Sequence, residues 1–302
     1  MPLFLARLFA RAYGNAWLIL FLTTLFWGGN VVAARLAIGE ISPMLLVCLR
    51  WGLVSVILAA TVRERLWHDW VKLRPSWRFV ALMGTFGFTI YNALYFEAAH
   101  LTPGVNLAII QGVSPAFILI GAKCVYGLRI GAIRWTGLLL TLAGIILMAA
   151  RGDLATLIGL GVNSGDLLMI VASVIYAGYT LALRNRPAVS ALGFFAGLAF
   201  AAFLTSLPLM LAEVAAGTAV WPHLSGMLVL AYVAIFPSLL AQVFFIRGVE
   251  LIGPARAGLF YNLVPVLGAL LAVVFLREHF AWYHGAALVL VVAGITLAER
   301  QR

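Results

Sequence analysis

Long apolar runs separated by short polar breaks form the dominant pattern of the chain. A helix needs about 20 mainly apolar residues to cross the hydrocarbon core of a bilayer, and each run approaches that length. The breaks near Pro103 and at Gly253-Pro254 are only a few residues long, so the helices beside them are the hardest to separate. The pattern predicts ten transmembrane helices, called the first to the tenth, at residues 15–37, 43–62, 78–98, 104–126, 131–150, 165–184, 190–212, 226–246, 255–276 and 282–299.

The second half of the chain repeats the first. Aligned without a gap, residues 101–149 match residues 251–299, so that Pro115 meets Pro265. Five predicted helices fall in each half. Because five is odd, the second unit starts on the opposite side of the membrane, and we expect two inverted five-helix repeats. Their predicted boundaries are 1–150 and 151–302.

The composition supports a membrane protein. Hydrophobic residues make up 64% of the 302 residues, charged residues 10%, and the mean hydropathy is +1.08. These values lie far from the averages of soluble domains. The sequence therefore predicts an all-α integral membrane protein.

The net charge of +10 follows the predicted membrane and does not indicate nucleic-acid binding. With a cytoplasmic N-terminus, most basic residues fall in inner loops and helix ends. The positive-inside rule therefore places both termini in the cytoplasm. The basic residues that fall elsewhere are Arg35, Arg50, Arg151 and Arg277.

The beginning of the chain has two interpretations. Arg7 and Arg11 precede an apolar run, which also fits a cleaved secretory signal. Cleavage would remove the match between residues 27–30 and residues 176–179 of the second half. We therefore prefer a retained first helix.

Polar and aromatic residues interrupt several helices near their middles. Such residues are costly in lipid unless they face a cavity or another helix. Each alone also fits a structural role, in an interfacial aromatic belt or as an amide between helices. Because several occupy equivalent places in the two repeats, we predict an aromatic cavity for an uncharged or zwitterionic amphipathic solute. The candidate substrate-binding residues are Trp27, Asn30, Tyr91, Asn92, Tyr95, Gln111, Ser114, Tyr176, Tyr179, Gln242, Tyr261 and Asn262.

Pro115 and Pro265 lie inside the fourth and ninth predicted helices. Each removes an intrahelical hydrogen bond and is expected to kink its helix. Paired kinks fit a gate, and they equally fit a role in shaping the bundle. A helix broken there would also leave backbone groups free to bind a carboxylate or an ammonium.

Charged residues within the helices are few. Arg50 lies about 10 Å into the second helix at the usual helical rise. It fits a carboxylate site, an anchor for a helix carbonyl or a side chain that snorkels outward, and we favour the structural role because the second repeat has no arginine at that depth.

No acidic residue maps to the centre of a helix. Proton-coupled carriers commonly use such a group as a relay, so the sequence favours a facilitative carrier. Glu97 and His100 are the fallback pair for proton coupling.

Other functional classes lack their chemistry. The histidines lie at loops and helix edges without the His-Glu-x-x-His spacing of metalloproteases, and no nucleophile with a base is evident, so neither an enzyme nor a metal site is expected. Gly159-Leu160-Gly161 lacks the context of a nucleotide motif. Cys48 and Cys124 fit packing roles. No cofactor is predicted.

The motifs resemble the EamA-type branch of the drug/metabolite transporter superfamily, whose members have ten helices in two repeats. Two features depart from its pattern: Phe280 replaces a common proline, and Leu128 stands where the second repeat has Glu278. The resemblance is carried by Trp27-Gly28-Gly29-Asn30 followed by Arg35, by Ser114-Pro115 and Val264-Pro265, and by Leu276-Arg277-Glu278 with Gly285 and Gly294.

Among branches, the chain looks most like the aromatic amino acid exporters of bacterial inner membranes. This resemblance implies a multi-pass carrier for aromatic and other hydrophobic amino acids, working by alternating access in the lipid bilayer. The alternative is a proton-coupled exporter of nucleosides or cationic compounds; a channel or an intramembrane enzyme is more remote. The chain fits a monomer or a homodimer, and glycines that permit close helix packing are Gly137, Gly144, Gly285 and Gly294.

Overall fold

The computed structural model describes residues 13–127, 131–150, 152–153 and 163–299. Over these ranges the chain is helical and contains no strand. Within the described ranges, eight helices are long and apolar enough to cross a membrane, and the fifth and tenth are shorter apolar helices. Several residues named above lie outside the described ranges: Arg7, Arg11, Leu128, Arg151 and Gly159-Leu160-Gly161.

Six of the predicted apolar segments are single α-helices, with bounds close to those expected. Their N-termini often carry a capping side chain; Asn15, for example, accepts a hydrogen bond from the Leu18 amide at 3.2 Å. The helices are Ala16–Leu36 (first), Pro43–Thr61 (second), Ala132–Ala149 (fifth), Ser164–Ala182 (sixth), Ala191–Ala215 (seventh) and Trp282–Glu299 (tenth).

The third and eighth helices each contain a π-helical stretch in the middle. A π-helical stretch makes i→i+5 hydrogen bonds and is often found at functional sites. The two stretches lie in equivalent places of the two halves. The third helix comprises Trp77–Gly84, the π-helical Thr85–Ile90 and Tyr91–Leu101; the eighth comprises Leu224–Val233, the π-helical Ala234–Leu240 and Ala241–Ile252.

The fourth and ninth helices are interrupted just before their prolines. The fourth consists of Gly104–Gln111 and Ser114–Tyr126, with Pro115 in the first turn of the second piece. In the ninth, the 3₁₀ turn Phe260–Asn262 separates Pro254–Leu259 from Leu263–Leu276. The interruptions lie where kinks are predicted, since proline cannot donate the backbone hydrogen bond that would continue the preceding turn.

An additional helix, Arg63–Leu73, occupies what the sequence reading treated as a polar break between the second and third helices. It is amphipathic: Leu73 is buried, whereas Trp67 and Trp70 are 70% and 45% exposed. Alternating charges and tryptophans are typical of a helix at a membrane interface. A search for fully apolar runs misses such a helix because only one of its faces is apolar.

The contacts between helices of the first half and helices of the second half are symmetric. The second helix packs on the seventh, the fourth on the ninth and the fifth on the tenth. The first contacts the eighth and ninth, and the sixth contacts the third and fourth. The pattern is unchanged when the first five helices are exchanged with the last five, as a two-fold relation requires.

Carboxylates at both ends of the pair formed by the second and seventh helices hold helix N-termini, one from the seventh helix and one from the helix Arg63–Leu73. Glu213, near the end of the seventh, accepts hydrogen bonds from the Ser42 hydroxyl at 2.6 Å and the Leu45 amide at 2.9 Å, at the start of the second. At the other end of the pair, Asp69 accepts a hydrogen bond from the Ser190 hydroxyl, just before the seventh helix. Carboxylates are stabilising at helix N-termini.

A further carboxylate, between the ninth and tenth helices, contacts the first and fourth helices. Glu278 accepts hydrogen bonds from the Gly104 and Val105 amides, both at 2.8 Å, and lies 3.5 Å from the Arg35 guanidinium. Arg35 also donates to the Ala99 carbonyl oxygen at 2.6 Å. We call this the Glu278 end of the bundle, and the opposite end, which holds Tyr13, Asp69 and Arg184, the Asp69 end.

The glycines of the fifth and tenth helices pack within the chain. A Cβ atom at Gly144 would lie 2.9 Å from the Ala287 carbonyl oxygen of the tenth helix. One at Gly294 would lie 2.5 Å from the Gly137 carbonyl oxygen of the fifth. The predicted close packing is therefore between these two helices.

Candidate functional site

A cavity of about 60 Å³ lies where the middles of seven helices meet. Pockets that hold drug-sized ligands usually measure ~300–1,000 Å³. The cavity must therefore widen before a solute of amino acid size can enter. It is lined by Trp27, Asn30, Arg50, Trp51, Gly87, Phe88, Tyr91, Asn92, Gln111, Tyr176, Pro237, Gln242 and Tyr261.

The two repeats contribute to this wall in matching pairs. Each pair consists of residues about one repeat apart in the sequence, one from each half. This is the arrangement expected when a site forms at the interface between two copies of a fold. The pairs are Trp27 with Tyr176, Gly87 with Pro237, Asn92 with Gln242, and Gln111 with Tyr261.

Aromatic rings form much of the wall. The Trp27 and Tyr261 rings lie 5.7 Å apart, and the Tyr91 and Tyr176 rings 5.0 Å apart. Ring faces and edges at these distances pack favourably with one another and with a planar apolar ligand. The wall thus provides aromatic contact from both halves.

The π-helical stretches bring backbone groups to the cavity. Gly87 and Phe88 of the third helix and Pro237 of the eighth line it. The indole nitrogen of Trp27 donates a hydrogen bond to the Pro237 carbonyl oxygen at 3.1 Å. This contact holds the first helix against the irregular part of the eighth.

Arg50 is in the cavity wall and is only 5% exposed. Its Nη1 donates a hydrogen bond to Asn92 Oδ1 at 2.7 Å, and its Nε donates to the Ser238 hydroxyl. Its Cζ lies 5.1 Å from the centre of the Trp51 ring. The sequence reading favoured anchoring or snorkelling; the hydrogen bonds described for Arg50 go to side chains of the third and eighth helices.

Eight of the twelve candidate binding residues line the cavity, and four do not. Tyr95 is fully buried behind Tyr91, with ring centres 6.1 Å apart. The Ser114 hydroxyl donates to the Gln111 carbonyl oxygen at 3.1 Å, within its own helix. Tyr179 packs against Phe88, and Asn262 is buried outside the lining.

The two prolines are also outside the lining. A Cβ atom at Gly112, in the break of the fourth helix, would lie 3.0 Å from the Pro265 ring. The two broken helices therefore approach each other closely beside the site. Their role as a gate stays a prediction.

Sequence reasoning missed several lining residues: Trp51, Gly87, Phe88 and Pro237. Apolar or small side chains in an apolar helix give no signal of facing a cavity. Pro237 had a signal, since a proline inside a helix marks irregular backbone. Its position one repeat after Gly87 is a second signal.

Acidic side chains are absent from the lining. Among described residues, the carboxylates of Asp69, Asp166, Glu213 and Glu278 lie at helix ends, where they accept hydrogen bonds from neighbouring helices. In the fallback pair, the His100 ring nitrogen lies 2.9 Å from the Phe96 carbonyl oxygen of its own helix. Across the described ranges, no group of three or more histidine, cysteine or acidic residues is placed to hold a metal.

Comparisons with known proteins agree with this architecture. The EamA-like transporter family matches residues 14–150 and again residues 163–299. YdeK of Bacillus subtilis, named an uncharacterized transporter, is 30% identical over 95% of this chain and 97% of its own. YedA of Escherichia coli, named an uncharacterized inner membrane transporter, is 27% identical over 92% and 88%.

A solved structure has a similar fold. The alignment with that crystal structure covers 94% of this chain and 96% of the other chain, with 25% identical residues and a TM-score of 0.63. The resemblance therefore spans both halves of the bundle.

Proposed function

Because the chain belongs to the EamA-like transporter family, we propose that it carries small amphipathic solutes, foremost aromatic and other hydrophobic amino acids, across a bacterial inner membrane. The observation that carries this proposal is the central cavity, with aromatic walls and neutral hydrogen-bonding groups from both halves. A planar ring fits the tyrosine and tryptophan faces, and the amides suit a polar backbone.

The proposed orientation places the Asp69 end in the cytoplasm. Most of the described basic residues lie there, including Arg74, Arg184, Arg186 and Arg247, which the positive-inside rule favours. Both termini are then cytoplasmic. The two repeats, residues 1–150 and 151–302, are inverted about an axis in the membrane plane, consistent with the matching helix pairs.

The proposed mechanism is alternating access around the cavity. Its seven lining helices come from both halves, so rocking one half against the other opens the cavity to either side. The breaks before Pro115 and Pro265 supply places where the fourth and ninth helices bend. The absence of a carboxylate from the lining supports a facilitator, with direction set by the solute gradient.

The test is solute flux into liposomes containing the purified protein. Radiolabelled phenylalanine, tryptophan, threonine and a nucleoside are compared with and without a pH gradient. We expect saturable amino acid uptake without a gradient. Strict dependence on the gradient would favour the proton-coupled alternative, nucleoside uptake without amino acid uptake would refute the substrate class, and single-channel current would indicate a channel.

A matched pair of variants tests whether the solute passes through this cavity. In Tyr176→Ala, loss of a cavity aromatic contact of ~0.5–1.5 kcal/mol should raise the half-saturation concentration for phenylalanine about threefold to tenfold. The control is Tyr126→Ala, because Tyr126 is outside the lining and donates to the Leu181 carbonyl oxygen. Equal effects of both substitutions would contradict transport through this cavity.

A further inference from the structure

We infer that Arg50 is the anchor for a carboxylate of the transported solute, so that the carrier selects carboxylate-bearing molecules and rejects their amides and amines. This inference rests on the proposed function and names the charged group that the cavity recognises.

Arg50 differs in charge from the rest of the cavity wall. Arg50 is the one charged residue among those that line the cavity. It lies seven residues after Pro43 and eleven before Thr61, in the middle of the second helix. A charge held this deep in a membrane is costly, and such residues usually pair or mark a substrate path.

Arg50 has no counter-ion among the described residues. The partners of Arg50, Asn92 and Ser238, are neutral. Neither ion pair found among the described residues includes Arg50. The two hydrogen bonds orient the guanidinium without neutralising it, which leaves its positive charge for an anion that enters the cavity.

One nitrogen of the Arg50 guanidinium takes no part in the described hydrogen bonds. The described hydrogen bonds of Arg50 use Nε and Nη1, and none uses Nη2. A guanidinium has five N–H donors in a planar fork that matches a carboxylate. The adjacent Trp51 ring, stacked on Phe88 with ring centres 4.5 Å apart, supports the fork from one side.

The cavity also has acceptors for the positively charged group of an amino acid. The side-chain carbonyl oxygens of Asn30 and Gln111 are buried and accept no hydrogen bond from the described residues. Both residues line the cavity. Unpaired acceptors require a donor, and the ammonium of a zwitterion supplies one. Donors at Arg50 and acceptors at Asn30 and Gln111 together fit an amino acid backbone.

The second repeat has no counterpart of this anchor. Phe200, about one repeat after Arg50, is 44% exposed on the outside of the seventh helix. The seventh helix contributes nothing to the lining. The cavity therefore has a single site for an anion, and the solute has one orientation in it.

The experiment measures binding of matched probes to the full-length protein in lipid nanodiscs, by quenching of tryptophan fluorescence. The probes are L-phenylalanine, L-phenylalaninamide, 3-phenylpropionate and phenethylamine. Since a charge-assisted hydrogen bond is lost, we expect the amide and the amine to bind at least ~10-fold more weakly than phenylalanine. Phenylpropionate should be intermediate, because it lacks the ammonium.

Variants show whether Arg50 causes this preference. Arg50→Gln should reduce the ratio of phenylalanine to phenylalaninamide affinity to about one, and Arg50→Lys should retain part of it through its charge. Arg184→Gln is the matched control, since it removes an arginine that packs on Tyr126 away from the cavity; the ratio should stay at the wild-type value. A purely structural role of Arg50 would weaken all four probes equally.

The outcomes separate the inference from the proposed function. Wild-type protein that binds the amide or the amine as tightly as phenylalanine would overturn the inference, whether or not Arg50→Gln folds. If aromatic probes fail but L-leucine binds better than L-leucinamide, the aromatic preference falls and the anchor is supported. If no carboxylate of either series binds, the inference is overturned.

Discussion

The two ends of the bundle are held by different kinds of contact. At the Glu278 end, an ion pair joins Arg35 of the first helix to Glu278, which also caps the fourth helix; the two side chains are 30% and 13% exposed. At the Asp69 end, Arg247 pairs with Glu250 three residues away on the same helix, and these side chains are 33% and 56% exposed. Only the first contact must break for helices to separate.

This difference between the two ends contrasts with the paired residues of the cavity. Four pairs of lining residues match between the repeats, yet the residue that corresponds to Glu278 in the first repeat is Leu128, which lies outside the described residues. A duplicated fold thus retains paired residues in the cavity, with Arg50 as an unpaired addition, while the sequences at its ends diverge. In the proposed alternating-access cycle, opening the Glu278 end would separate partly buried charges, which is an energetic barrier of its own.

The largest test of this comparison removes the charge of Glu278. In Glu278→Gln, the ion pair is lost and the cap of the fourth helix is weakened, so the free energy of unfolding should fall by about 2–3 kcal/mol, somewhat less than for a fully buried pair. The control is Glu250→Gln, where an exposed pair within one helix should contribute below ~0.5 kcal/mol. Unfolding of both variants in mixed micelles gives the two values.

The same two variants test whether the ion pair of Arg35 and Glu278 slows opening of the cavity toward the Glu278 end. A cysteine placed in the cavity at Asn92 should react faster with a membrane-impermeant reagent added from the Glu278 side when Glu278→Gln is also present. An unchanged rate, or an equal acceleration by Glu250→Gln, would contradict the barrier assigned to this pair.

The second test compares two glycines one repeat apart. Gly294 lies nearer the Asp69 end, and an added Cβ would meet the backbone of the fifth helix at 2.5 Å from the Gly137 oxygen and 2.7 Å from the Thr141 nitrogen. Backbone atoms of the fifth helix cannot move aside as the end of a side chain can, so Gly294→Ala should lower the free energy of unfolding by about 2 kcal/mol. Gly144→Ala, with its nearest atoms at 2.9 Å, should cost less, and Gly285→Ala, at 3.4 Å from Phe280, is the control with little effect.

Differential stability of the three variants is read by thermal unfolding at matched protein and detergent concentrations. A larger loss for Gly285→Ala than for Gly294→Ala would show that the fifth and tenth helices do not pack as described.

The smallest test compares the contacts of Glu213 and Asp69 at the two ends of the second and seventh helices. The second helix has no side-chain cap of its own, so Glu213→Ala should cost about 1 kcal/mol. The seventh helix is already capped by Ser190, whose hydroxyl accepts from the Gly193 amide at 2.9 Å. Asp69→Asn should therefore cost clearly less than Glu213→Ala in the same unfolding assay. The reverse order would show that Asp69, and not Ser190, provides the main cap.

Much of the fold could be predicted because lipid leaves the backbone few options. Apolar runs such as 43–62 became helices with nearly the predicted bounds, here Pro43–Thr61. The π-helical stretches could not be predicted, since they depend on which carbonyl finds a partner, as Pro237 does in Trp27. The helix Arg63–Leu73 was missed because its apolar face is only part of its surface.

The site could be predicted in outline. Asn92, Gln111 and Gln242 line the cavity because an amide in an apolar helix must face the protein interior. The sequence could not tell which layer of the interior each residue reaches: Tyr91 lines the cavity, whereas Tyr95, one turn later, packs behind it. The sequence favours a structural role for Arg50 because the second repeat has no arginine at that depth; its partners on the third and eighth helices become visible only when the helices are assembled.

The contacts at the two ends of the second and seventh helices have a mechanical consequence. Glu213 of the seventh helix holds the start of the second, and Asp69, on the helix Arg63–Leu73 that follows the second, holds Ser190 at the start of the seventh. Sliding the seventh helix along the second by a single turn, about 5.4 Å, would break both contacts at once. The axial register of the second and seventh helices is therefore fixed. In the proposed alternating-access cycle, this fixed register favours tilting and bending of the remaining helices over an elevator-like displacement of one half through the bilayer.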